Sequence, residues 1–167
     1  MLARKINRAK WSPKAYLPQD AIRADAVTGC LRTRDDRLSM WQCEDDPDDL
    51  DQVFLALATG PLNTGFDTMD IVVIAENELE NAGVTRETTL GETAVPALRS
   101  RHVDLVALDL EKLAALAKLL ALCVRSSHVK RRTQGEIKKL VTDAHNKGHI
   151  QSEELKEELR RQLTPDA

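Results

Sequence analysis

Aromatic side chains are nearly missing from this chain: two Trp, one Tyr and two Phe stand among 167 residues. Leu, Val, Ile and Ala must therefore fill any core, and the interleaved aromatic platforms on which single-stranded nucleic acid stacks are lacking. Cysteine is scarce as well. Cys30, Cys43 and Cys123 make neither a CxxC pair nor an even set, which points to reduced thiols and a cytoplasmic setting rather than a disulfide framework. No apolar run approaches the roughly 18 residues that a bilayer crossing needs. The positive stretch 1–10 has no apolar segment behind it, so neither a membrane span nor an export signal is expected. The sequence contains no Walker loop, GxGxxG, HExxH or CxxC, so it names no nucleotide, metal or redox cofactor, and none is expected.

What is present is a chain that should fold: 42% hydrophobic and 31% charged. The net charge of −3 conceals a segregation. Residues 1–37 hold nine Lys/Arg against four Asp/Glu, 38–111 three against sixteen, and 112–167 twelve against seven. An acidic middle between basic ends can clamp those ends within the molecule or present a field to a basic partner.

Residues 1–24 read as a basic irregular arm with Pro13 and Pro18, packed down at Trp11. Two β-compatible runs, 26–33 and 38–43, flank the polar break Arg34-Asp35-Asp36-Arg37 and predict a hairpin. Asp45-Asp46-Pro47-Asp48-Asp49 is a helix start, followed by Leu50, Val53, Phe54 and Leu57 on one face and a stop at Gly60-Pro61. Ile71-Val72-Val73-Ile74 predicts a strand buried on both faces. A short helix over 76–82 closes at Gly83, and 85–101 reads mostly as loop with a turn of helix around 97–100. A strand over 102–108 precedes a helix capped by Asp109 that ends near Cys123. After a basic junction at 125–132, Thr133 and Glu136 have capping-box spacing for a helix ended by Gly148, and Ser152 opens a last helix with Leu155, Leu159 and Leu163. The expectation is an α+β fold: a small sheet of three or four strands with an N-terminal hairpin, two or three packing helices, and a C-terminal αα-hairpin. The boundaries are a 1–24 arm, a 25–125 core domain and a 126–167 helical hairpin, which is too small to stand alone and must dock.

Candidate chemistry is thin. Asp143, Gly148, Ile150 and Glu154 fit positions of a calcium loop, but His145 and Lys147 stand where further carboxylate ligands belong. His145 and His149 have helical zinc spacing, with Cys123 and His128 nearby, yet Gly148 interrupts the helix that spacing requires. His102, preceded by Arg99 and Arg101, is a candidate general base. Spacing supplies it with no nucleophile and no carboxylate, so it reads as structural.

Interaction surfaces are better supplied. Asp45, Asp46, Asp48, Asp49 and Asp51 could meet a protein with a basic surface, and Leu155, Leu159 and Leu163 could dock helices on that partner or on a second copy of the chain. The alternative is nucleic acid on basic segments 4–10 and 125–139, with Arg125, Lys130, Arg131, Arg132, Lys138 and Lys139 as phosphate contacts. Leu140, the turn Gly148-His149-Ile150, and Glu153-Glu154-Leu155 before a basic, leucine-ended helix give 136–163 a pattern that resembles the SHOCT-type short C-terminal helical module of bacterial proteins. That resemblance implies self-association or docking and no catalysis. The expected role is a non-catalytic protein-interaction component, of the kind found among bacterial immunity proteins, antitoxins and accessory subunits of antiviral defence operons.

Overall fold

Leu2–Ile6 forms β1, a strand near the middle of the sheet where an irregular arm was expected. Leu2 and Ala3 are wholly buried, on opposite faces, and Ile6 nearly so. The computed structural model describes residues 1–12, 14–18, 20–126 and 128–163; Pro13 of the predicted arm and 164–167 of the predicted hairpin lie outside them. Short helices α1, Arg8–Trp11, and α2, Ala24–Cys30, follow. The second replaces the first arm of the predicted hairpin: Ala26 and Cys30, one helical turn apart, are its buried residues, and Asp25 sits in its favourable first turn. The polar break does turn the chain. Asp35 and Asp36 both have positive φ, 52° and 56°, as a two-residue hairpin turn requires, and Arg34 bridges Arg37 across it.

The chain then alternates. Leu38–Gln42 is β2, Pro47–Ala58 is α3, Met69–Ile74 is β3, Glu76–Asn81 is α4 and Thr85–Thr88 is β4. A 3₁₀ turn, Pro96–Arg101, leads directly into β5, His102–Val106. Helix α5, Leu110–Arg125, is followed by β6, Val129–Arg132, α6, Gln134–Asn146, and α7, Glu157–Leu163. The six strands form one open, wholly antiparallel sheet in the order β4-β5-β2-β1-β3-β6.

The expected sheet of three or four strands with an N-terminal hairpin is therefore corrected to six strands. Three were hidden for one physical reason. β1, β4 and β6 carry charged or polar residues where a strand is usually recognised by apolar ones, and β4 and β6 are edges, which need no second partner. Strands from 1–24 and 126–167 lie in the same sheet as those from 25–125.

Helices cover both faces. One face sets Ala3, Trp41, Ile71 and Val73 against Phe54 of α3, Ile137 and Val141 of α6, and Leu159 and Leu163 of α7. The other sets Leu2, Met40, Val72 and Leu105 against Leu116 and Leu120 of α5, with Ala26, Cys30 and Leu79 beside them. Asp46 caps α3 by accepting from the Asp48 and Asp49 amides, both at 3.1 Å, and Thr133 and Glu136 close the capping box of α6. Gly148, at φ 70°, ends α6 as its left-handed geometry allows.

Leu159 has no solvent exposure. Leu159→Ala should cost about 2–5 kcal/mol of folding stability, measured by urea denaturation. A loss under about 0.5 kcal/mol would mean that α7 is not seated in the core.

Candidate functional site

Along the ladder between β1 and β2 only two residue pairs face each other, Leu2 with Gln42 and Ala3 with Trp41. A continued ladder would set Lys5 opposite Ser39. Instead Arg4 fills the parting: its guanidinium donates to the Ser39 carbonyl at 2.6 Å and twice to the Cys30 carbonyl, at 3.1 and 3.2 Å. Burial pulls the Arg4 guanidinium below its ordinary value, opposed by Cys30 and Asp104. It stays charged under any physiological condition.

Beside this parting lies an open cleft of about 630 Å³. Its floor is the row Ser39, Trp41, His102 and Asp104 on the sheet face that α3 covers, which the β2–β5 register brings together: Ser39 opposes Asp104 and Trp41 opposes His102. One wall is the end of α3 with Pro61 and Leu62, and the other is the loop carrying Thr89, Leu90 and Glu92. Thr59 and Thr93 tie the walls together through hydroxyls 2.7 Å apart in a buried setting.

The floor is wired through His102. Its Nδ1 lies 2.8 Å from Thr89 Oγ1, and its Nε2 lies 2.8 Å from Ser39 Oγ. Thr89 Oγ1 in turn donates to Asp104 Oδ2 at 3.1 Å. A threonine hydroxyl has one proton, and it is spent on Asp104, so the His102 contact must be an Nδ1–H donation to Thr89. The other ring nitrogen is then a bare acceptor, and Ser39 donates to it. Burial lowers the His102 pKa, with Asp104 raising it, Arg4 lowering it further and Glu92 raising it, which favours this neutral form. The ring is clamped mechanically as well. Trp41 meets it edge-on at 5.2 Å, and Gly91 lies so close that an added Cβ would stand 2.5 Å from Trp41 Cη2 and 2.8 Å from His102 Cβ.

The cleft is basic. Arg4, Lys5, Arg32, Arg34 and Arg37 line it against Asp35, Glu92 and Asp104. Arg37 pairs with Glu87 at 3.0 Å and lies 4.0 Å from Asp104; Arg34 lies 3.7 Å from Asp35. Lys5 and Arg32 have no ion-pair partner among the described residues. Leu62 and Leu90 stand at its mouth, 90% and 77% exposed.

The acidic cluster is placed elsewhere, and much of it is spoken for. Asp45 pairs with Lys130 and Asp51 with Arg132, both at 2.7 Å, and Asp49 pairs with Arg101 at 2.5 Å. Asp46 is the cap of α3, which leaves Asp48 as the member with no side-chain partner among the described residues. Arg132 also covers the Phe54 ring at 5.4 Å. The same bonds engage the basic set: Lys130 and Arg132 as above, and Arg131 with Asp70 at 3.8 Å. Arg125, Lys138 and Lys139 are exposed, on two different helices. Leu155, Leu159 and Leu163 are buried within this chain. Among the described residues no group of three His, Cys, Asp or Glu could hold a metal, and no helix is long and apolar enough to cross a membrane.

Ser39, Thr89 and Arg32 are not singled out by the sequence; Lys5 is, but only within the basic segment 4–10 read as a nucleic-acid contact. Ser39 and His102 are 63 positions apart, and only the pairing of β2 with β5 makes them neighbours.

No family model, no curated protein and no solved structure matches this chain. The local resemblance of 136–163 draws no support from the first of these comparisons.

Two outcomes test this description. Gly91→Ala should destabilise the fold by about 1–3 kcal/mol in urea titration, because the methyl has no room beside Trp41 and His102; an unchanged midpoint would show the clamp to be loose. The Arg101 hydrogen bond is the main cause holding the Asp49 carboxyl below its usual value of 3.8. A lowered folded-state pKa adds stability that is present above 3.8 and lost as pH falls through the folded value. Asp49→Asn should therefore lower stability at pH 7, and the deficit should shrink below pH 3.8 when thermal unfolding is followed against pH.

Proposed function

We propose that this chain is an interaction component whose working surface is the basic cleft over β2 and β5, and that its partner is a protein segment in which carboxylates alternate with apolar side chains. By size and character this is the kind of role that small immunity proteins and accessory subunits perform by binding. The observation that carries the reading is an imbalance of neutralisation. Of the five aspartates that would have met a basic partner, three are already paired and one is a helix cap. In the cleft, Arg32 and Lys5 are exposed and neither is held in an ion pair among the described residues, Lys5 feeling only the field of Asp67, next to the exposed Leu62 and Leu90.

Unneutralised cations in a concave site focus a positive potential and draw an anionic partner. Apolar side chains at the mouth add the non-directional part of the affinity. Nucleic acid is less well suited, since Lys130, Arg131 and Arg132 are engaged by Asp45, Asp70 and Asp51.

A fluorescent peptide of alternating Glu and Leu should bind the full chain at low salt, with an affinity that falls as salt rises. Lys5→Gln combined with Arg32→Gln should weaken it about tenfold or more, equivalent to about 1.4 kcal/mol, while Asp48→Asn should leave it unchanged. Absence of binding at low salt, or binding that ignores the double variant, would remove the cleft from consideration; tighter binding of a Lys/Leu peptide would return attention to the acidic surface.

A further inference from the structure

We infer that the cleft is also reactive: Ser39 is a nucleophile activated by His102, acting on carboxylic esters whose acid or alcohol part carries negative charge. The inference rests on the preceding reading only in that the same cations would hold the charged part of the substrate. Its own support is the chain of hydrogen bonds.

An activated serine needs a base within hydrogen-bond reach and a third group that orients the base. All are in place. Ser39 is exposed in the cleft while its hydroxyl lies 2.8 Å from His102 Nε2. The far side of the ring is held by Thr89, and Thr89 by Asp104. The carboxylate thus acts through an interposed hydroxyl, fixing the tautomer that leaves Nε2 free to take a proton. A serine retained only to satisfy a buried imidazole would have no need to be open to solvent, and the packing of Trp41 and Gly91 about the ring already fixes its place.

The step balances without any further reagent. Ser39 Oγ forms a bond to the acyl carbon as its proton passes to His102 Nε2, and the carbonyl π electrons move onto oxygen, towards the charge of Lys5 and Arg37 in the same cleft. Collapse breaks the carbon–oxygen bond to the alcohol, which leaves with the proton from Nε2. Water then attacks the acyl-serine by the same route, giving the carboxylic acid and restoring Ser39. Nδ1–H stays on Thr89 throughout, and the Thr89 proton stays on Asp104. Ser39 and His102 are the catalytic residues. Thr89 and Asp104 are positioning residues.

The test is labelling of the full chain with a fluorophosphonate probe, read by peptide mass spectrometry, beside hydrolysis of 4-nitrophenyl acetate and of 4-nitrophenyl hemisuccinate, which adds a carboxylate. Adduct should form on Ser39 and be absent from Ser39→Ala. His102→Gln should slow labelling by about 10²-fold or more. Because that variant disturbs a buried ring, Thr89 gives a second arm: Thr89→Ser should keep the rate, and Thr89→Val should lower it and alter its pH profile. The wild-type rate should rise with pH through a midpoint below 6.5, the ordinary histidine value. Around the ring the charged groups are Asp104 on β5, Glu87 on β4, Glu92 in the loop, Arg4 and Lys5 on β1, and Arg37 ahead of β2. Hydrolysis should favour the hemisuccinate, and Lys5→Gln should reduce that preference. No adduct on Ser39, or an adduct whose rate is the same in His102→Gln and Thr89→Val, would overturn the inference. Labelling and peptide binding are separate readouts on the wild-type chain: no adduct on a chain that binds the acidic peptide overturns the chemistry alone, and adduct on a chain that does not bind it overturns the binding surface alone.

Discussion

The parting of β1 from β2 after two residue pairs is the constraint on which this molecule turns. Had the ladder continued, backbone would have met backbone at Ser39, and the sheet would have closed over the place where the cleft now opens. Arg4 makes the parting stable. Its guanidinium binds the carbonyl oxygens of Ser39 and Cys30, so the side chain replaces ladder bonds and also ties α2 to the sheet. A guanidinium can do this because it offers several donors in a fixed plane and does not lose its charge when desolvated. The cost is a cation in a largely apolar layer, and the neighbouring Asp104 offsets part of it.

The segregated charge of the sequence is resolved mostly within the fold. Aspartates at the start of α3 meet the basic strand β6 and Arg101, so the acidic middle holds the C-terminal basic segment in place. These pairs are partly exposed and individually modest. Their collective effect is on position: β6 reaches its place at the sheet edge beside β3 with α6 following it, and α6 packs against α3. The basic N-terminal segment is different. Arg4 is bound to carbonyls, and Lys5 lines the cleft with the field of Asp67 on it but no ion pair of its own among the described residues.

Much of the helical framework could be read in advance, because caps and apolar spacing are local. Asp46, Asp109 and Thr133 mark three helix starts, and Gly83 and Gly148 mark two ends. Ile71 to Ile74 announced a strand by their β-branching. β1, β4 and β6 gave no such notice: Arg4, Lys5, Arg86, Glu87 and Lys130 to Arg132 look like loop until a neighbouring strand is known. The cleft was less legible still. His102 stood out as a base in want of partners; strand alternation puts Asp104 on its face, but Ser39 and Thr89 come from positions that no spacing rule connects to it. The wiring exists only through strand register, and that is a property of the whole sheet.

The outer strands have a consequence for assembly. β4 is Thr-Arg-Glu-Thr with every residue exposed, and β6 is Val-Lys-Arg-Arg. A strand arriving alongside either one would have to bring its own backbone up to charged, hydrated side chains. For β6, a second copy of the same strand would also bring like charge against like. Growth of the sheet from molecule to molecule is therefore discouraged at both ends, and the lateral hydrogen-bonding capacity of this protein is reserved for itself.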